Sequence, residues 1–102
     1  MHPNFTLLLI IGYLLGSIPF GFLISKLKSI DIRKVGSGNI GATNVSRALG
    51  KKWFFVVFFL DALKGIIPVY LAKSYLTSDW EIILVAIAPI FGHVFPIWLN
   101  FK

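Results

Sequence analysis

The stretch Gly36-Ser37-Gly38-Asn39-Ile40-Gly41-Ala42-Thr43-Asn44-Val45-Ser46-Arg47-Ala48-Leu49-Gly50 sets the reading of the whole chain. It holds four of the nine glycines, five side chains with a hydroxyl or an amide, and a single charge, Arg47. A Gly-Ser-Gly-Asn opening leaves backbone N–H groups that can turn toward an anion. The residues that follow, 40–49, predict a helix of about two to three turns. Gly50 suits the left-handed position that ends a helix. A helix beginning at a glycine-rich turn offers unpaired N–H donors and the positive end of its dipole to a phosphate. Thr43 and Arg47, four residues apart, share one face. Arg47 can bind phosphate oxygens bidentately, with Ser37, Asn39, Thr43 and Asn44 as neutral donors. Gly36, Ser37, Gly38, Asn39, Thr43, Asn44 and Arg47 are thus the candidate phosphate-binding residues of a loop expected at a membrane surface.

Around this stretch the chain is apolar. Of its 102 residues 57% are hydrophobic and 14% charged, whereas a soluble domain carries about a quarter charged residues. This is the composition of a membrane protein, and the length allows one domain, 1–102. Cysteine is absent, which excludes a disulfide framework and a cysteine metal site. The residues imply no metal and no cofactor. The net charge of +6 is concentrated: Lys26, Lys28, Arg33, Lys34, Arg47, Lys51 and Lys52 stand against Asp31 alone between residues 26 and 52, while three lysines offset three acids elsewhere. Loops rich in Lys and Arg stay on the cytoplasmic side, so residues 26–52 are expected to be a cytoplasmic loop. Lys26, Lys28, Lys51 and Lys52 suit topology determinants and partners for anionic lipid heads. With no aromatic residue from Leu23 to Lys52, the loop lacks the pattern of a nucleic-acid surface.

Three apolar runs flank the loop. Residues 5–25 are long enough to cross a bilayer core. The first lysine follows this run, at Lys26, whereas a signal peptide carries its cation first; a retained span with its N-terminus outside is predicted. Within it lies Gly16-Ser17-Ile18-Pro19-Phe20-Gly21. Small residues allow close helix packing, and Pro19 can kink the helix. The segment therefore reads either as helix packing or as a kink that places Ser17 near a site. The second span is predicted over 53–72, with Trp53 at the interface and Asp61, Lys64 and Pro68 inside. Asp61 and Lys64 share a face and can pair, as a structural ion pair or as an element that orders a site. The third span is predicted over 80–101. Its His93 reads as a packing residue before a catalyst, and Pro96 is expected to break the helix. The fold expected is all-α: three transmembrane helices with a cytoplasmic glycine-rich loop and short helix between the first two.

The loop holds no carboxylate or histidine between residues 36 and 50, so no general base is evident there. It also lacks the Gly-Lys-Ser/Thr ending of a P-loop, against an NTPase. A reaction that needs positioning and charge stabilisation above all fits such a set, and transfer from an already activated acyl donor is one.

Residues 36–44 with Arg47 and Gly50 resemble the first signature of the bacterial PlsY family, the acyl-phosphate:glycerol-3-phosphate acyltransferases. Gly16-Ser17-Ile18-Pro19, Asp61-Ala62-Leu63-Lys64-Gly65 and Gly92-His93-Val94-Phe95-Pro96 are similar to further family segments, in the family's order. The resemblance implies a bacterial inner-membrane, multi-pass enzyme of phospholipid synthesis. It would transfer the acyl group of acyl phosphate to the sn-1 hydroxyl of glycerol 3-phosphate, forming lysophosphatidic acid. It implies that Ser37 and Arg47 are the catalytic residues, with Asn39, Thr43 and Asn44 as neighbouring polar positions. Ser17, Asp61, Lys64 and His93 then take supporting roles. The resemblance also implies a seven-helix fold about twice this length, of which the chain covers about the N-terminal half. The family's Gly-Gly-Lys-Gly loop and third signature lie outside that half, so His93 inherits no catalytic role. Two other classes compete: a three-helix membrane remnant associating with a missing C-terminal half or a full-length homologue, and a small transport or anchor protein built on Asp61 and Lys64.

Overall fold

The structure, a computed structural model, describes residues 2–99. Five α-helices follow in order: α1 (Phe5–Gly16), α2 (Phe20–Leu27), α3 (Ala42–Leu49), α4 (Lys51–Tyr75) and α5 (Asp79–Val94). Short 3₁₀ turns lie at Ile32–Lys34 and Ile97–Leu99. Among the described residues there is no β-strand. Three helical segments are long and apolar enough to cross a membrane: Phe5–Leu27, Lys51–Tyr75 and Asp79–Leu99. They run slightly beyond the sequence expectations of 25, 53 and 72, and the expected end at 101 lies outside the described residues.

The first segment is broken between α1 and α2. Pro19 has no N–H to donate, and Ile18 before it is disfavoured in the α conformation. The chain tightens there, with Ile18 N donating to Leu15 O at 3.2 Å, and α2 restarts with Leu23 N donating to Pro19 O at 2.9 Å. The third segment is interrupted for a related reason: α5 ends at Val94, before Pro96, and the 3₁₀ turn Ile97–Leu99 follows.

The chain forms two compact units, one from Pro19–Ala62 and the other from the residues on either side. In the latter, α1 packs on α5. The backbone of Pro89 lies where a Cβ on Gly16 would be, and backbone of Tyr13, Gly16 and Ser17 lies where one on Gly92 would be. Small residues permit this approach, and dispersion between closely set helices replaces the hydrophobic drive that lipid cannot supply. Phe5, Leu8, Ala72, Leu76 and Val85 form its buried cluster. Ile66, Ile83, Ile87, Ile90 and Phe91 face outward, as on a helix solvated by lipid chains.

In the Pro19–Ala62 unit, Ile32, Val45 and Val57 are fully buried, with Phe22, Ile24, Val35, Ile40 and Trp53 packed against them. These apolar contacts draw α2, α3 and the start of α4 around the polar loop.

Candidate functional site

Asn44 builds the loop. Its side chain is 2% exposed. Its Nδ2 donates to Val35 O at 2.8 Å, Asn39 O at 3.0 Å and Ile32 O at 3.3 Å, and its Oδ1 accepts from Ser37 N at 3.2 Å. One amide thus ties four points of the loop to the first turn of α3. Ser37 Oγ accepts from Asn39 N at 3.3 Å, and Asn39 Oδ1 accepts from Gly41 N at 2.8 Å, a turn typical of asparagine. Gly38 N donates to Val35 O at 2.9 Å. Gly36 and Gly38 have φ of +54° and +75°, which favours glycine, and a Cβ on Gly36 would overlap Asn44 Oδ1.

The expectation of free loop amides is therefore corrected for four of them. Ser37, Gly38, Asn39 and Gly41 spend their N–H groups inside the loop. The donors left to an anion include the first-turn amides of α3, at Ala42, Thr43 and Asn44, which, like those of Gly36 and Ile40, have no acceptor among the described residues. The helix begins at Ala42, two residues after the expected start, and ends at Gly50, whose φ is +110°.

The exposed side chains of the site are Ser37, Asn39, Thr43 and Arg47. Thr43 and Arg47 stand one turn apart on the outer face of α3. The structure thus joins Gly36, Ser37, Gly38, Asn39 and Asn44 in one hydrogen-bonded loop, and it sets Thr43 and Arg47 on the helix that follows.

Beside the loop, Asp31 accepts from Arg33 N at 3.1 Å and from Arg33 Nε at 3.2 Å. The Arg33 side chain holds the Asp31 carboxyl below its ordinary pKa, helped by the Arg33 backbone amide. An aspartate two residues before an arginine is the only sequence signal for this pair.

Of the remaining candidates, Ser17, Lys64 and His93 lie in the other unit, and Asp61 lies near the end of the Pro19–Ala62 unit. Lys64 is 5% exposed. Its Nζ donates to Ile18 O at 3.0 Å and lies 3.0 Å from His93 Nδ1. With an ammonium as donor, Nδ1 accepts and Nε2 carries the ring proton. Lys64 thus caps the carbonyl exposed by the helix break. Ser17 Oγ donates to Tyr13 O at 2.8 Å at the same break. Asp61 lies on α4 three residues before Lys64. No group of three or more His, Asp or Glu able to hold a metal occurs among the described residues.

Sequence reasoning missed the Lys64–His93 contact and the structural role of Asn44. Neither is set by local spacing: the first joins residues 29 apart, and the second depends on how the loop closes.

Three apolar helical segments, with a cross-linked polar loop between the first two, define an integral membrane protein of the polytopic helical class. The family model for glycerol-3-phosphate acyltransferase matches residues 6–102, and the chain belongs to that family. It is similar to the glycerol-3-phosphate acyltransferases of Aquifex aeolicus (54% identical, 93% of this chain and 50% of the relative) and Desulforamulus reducens (56%, 95% and 50%). It is also similar to the crystal structure of PlsY, an integral membrane glycerol 3-phosphate acyltransferase, in its glycerol 3-phosphate form. That match has a TM-score of 0.91 at 52% identity and covers 97% of this chain and 50% of that one. The lysophosphatidic acid form matches with a TM-score of 0.87. The chain spans about half the length of the curated relatives it matches.

Proposed function

We propose that this chain carries the glycerol 3-phosphate side of an acyltransferase that uses acyl phosphate as donor. The sn-1 hydroxyl oxygen attacks the acyl carbon, and the bond from that carbon to the phosphate oxygen breaks. Inorganic phosphate leaves, taking up the hydroxyl proton, and lysophosphatidic acid remains. The donor is a mixed anhydride with a good leaving group, so positioning and charge stabilisation carry most of the work. Arg47 binds the phosphate of glycerol 3-phosphate bidentately, with Thr43 and the first-turn amides of α3 beside it. Ser37 and Asn39 hold the substrate's polar end. Asn44 acts one step back, by fixing the loop. No metal or cofactor takes part. The enzyme sits in the bacterial cytoplasmic membrane, N-terminus outside, with residues 26–52 on the cytoplasmic face where glycerol 3-phosphate is dissolved.

The observation that carries this reading is the pairing of an exposed Thr43–Arg47 face with a loop locked by buried Asn44, in a chain of this family. Complementation of a strain lacking the enzyme tests it, with this chain and with a version extended by a complete C-terminal half. Failure of both counts against the assignment. In the extended protein, Arg47→Ala should lower kcat/KM for glycerol 3-phosphate by at least tenfold, because a charged hydrogen bond contributes about 1.5–3 kcal/mol. Unchanged turnover would remove Arg47 from the site.

A further inference from the structure

The Pro19–Ala62 unit carries a second cationic feature that the reading above does not use. An open cleft of about 230 Å³ at the end of α2 is lined by Phe22, Lys26, Ser29, Ile30, Asp31 and Arg33. Two cations share its aromatic wall. The Arg33 guanidinium lies 4.6 Å and the Lys26 ammonium 5.9 Å from the centre of the Phe22 ring. Asp31 bonds to Arg33, and it is the one acid among seven cations between residues 26 and 52. Two like charges on one ring repel each other, and a single carboxylate hydrogen-bonded to one of them leaves the cleft with a net positive charge. An anion bridging Lys26 and Arg33 would remove that imbalance.

The surroundings say where the anion comes from. The cleft lies at the end of the apolar segment Phe5–Leu27, the depth at which a membrane presents its headgroups. Its chemistry is mixed, with a ring and the Ile30 side chain beside two cations, so it suits a molecule that is apolar on one side and anionic on the other. The same unit repeats the pattern: Lys28 and Lys52 lie 5.0 and 5.2 Å from the Trp53 ring. Basic residues on aromatic platforms at a span's end form a surface for acidic lipids.

We infer that the cleft between α2 and the Ile32–Lys34 turn binds the headgroup of an anionic phospholipid, with Lys26 and Arg33 on its phosphate and Phe22 against its glycerol or upper acyl chain.

Native mass spectrometry of the chain in mild detergent, titrated with phosphatidylglycerol or phosphatidylcholine, tests this. Phosphatidylglycerol should bind more tightly by fivefold or more, since each basic residue near an anionic surface contributes roughly a fivefold gain. Lys26→Gln should remove most of that preference. Lys26 is exposed, so the change leaves the fold intact. Arg33→Lys should retain the preference in part, having the charge without the planar fork. Lys34→Gln, which removes an equal charge outside the cleft, should leave it unchanged. Equal affinity for the two lipids overturns the proposal. So does an equal loss from Lys26→Gln and Lys34→Gln, which would make the effect one of diffuse charge. Displacement of the lipid by millimolar inorganic phosphate would assign the cleft to a free anion and overturn it as well.

Discussion

At the scale of single residues, Asn44 is the side chain on which the loop depends. Its amide serves Ile32, Val35 and Asn39 carbonyls and the Ser37 N–H at once. Asn44→Ala would leave the Ser37 N–H and the Asn39 carbonyl without a partner inside a closed loop, while Ile32 O and Val35 O still accept from Val35 N and Gly38 N, at about 1–3 kcal/mol for each group left unsatisfied. The total loss should be about 2 kcal/mol or more. Amide exchange at Ser37 should accelerate with it, while exchange in the middle of α5 should not. Asn44→Asp should be worse still, since a carboxylate can accept from Ser37 but would face three carbonyl oxygens with no proton to donate. Asp31 makes a different prediction. Its folded pKa is depressed by Arg33. Its contribution is thus fully present above the unfolded pKa and lost as pH falls through the lower folded value. The difference in unfolding midpoint between wild type and Asp31→Asn should therefore shrink toward zero as the pH drops below the ordinary carboxylate range. A difference constant over that range would show that the pair does not titrate with folding. The polar character of position 44 was legible in the sequence, and its task was not. An amide in a Gly-Ser-Gly-Asn context can face a ligand or its own backbone, and only the closed loop decides that Asn44 faces inward while Arg47 faces out.

At the scale of elements, the sequence shows breaks better than it shows ends. Pro19 and Pro96 announced interruptions, and the helices stop beside both. The end of α2 was not announced, because no glycine marks it. Ser29 N donates to Lys26 O at 2.9 Å and Ile30 N to Ser25 O at 2.9 Å. This is the paired closure of a Schellman motif, in which the position after the cap is usually glycine. Here Ser29 occupies it with φ of +63°, a region that costs a residue with a Cβ roughly 1–2 kcal/mol. Ser29→Gly should relieve part of that cost and raise stability by about 0.5–1 kcal/mol, read as a higher thermal midpoint in detergent with the helical signal unchanged. A lower midpoint would mean that the Ser29 side chain makes a contribution larger than the strain. The packing of α1 on α5 was half legible. Gly16 pointed to close approach, but its partner did not, since Pro89 and Gly92 lie more than seventy residues away in a run with several small residues.

At the scale of the whole molecule, charge and hydropathy carry nearly all of what the sequence could tell. Three spans follow from composition alone, because a segment in lipid must satisfy its backbone internally and so must be helical. The orientation expected of them rests on a second, independent signal. Lys26, Lys28, Arg33, Lys34, Arg47, Lys51 and Lys52 lie between the first two spans, while the link between the second and third, residues 76–78, has no charge. A basic loop is held back from translocation and a neutral one is not. The two loops should therefore face opposite sides, with Lys34 in the cytoplasm and Thr77 outside. The chain has no cysteine, so single substitutions at these exposed positions report cleanly. A thiol reagent that cannot cross the membrane should label Thr77→Cys in intact cells at once and Lys34→Cys only after lysis. The reverse pattern would place the Ser37–Arg47 loop on the outer face, away from a cytoplasmic glycerol 3-phosphate pool, and would remove the proposed acyltransferase role with it. The same assay also measures how strongly the charge decides. Neutralising Lys26, Lys28 and Lys34 together should give a mixed population, labelled partly from each side, because four cations would remain against Asp31. A fully inverted population would mean that these three residues alone set the direction of insertion.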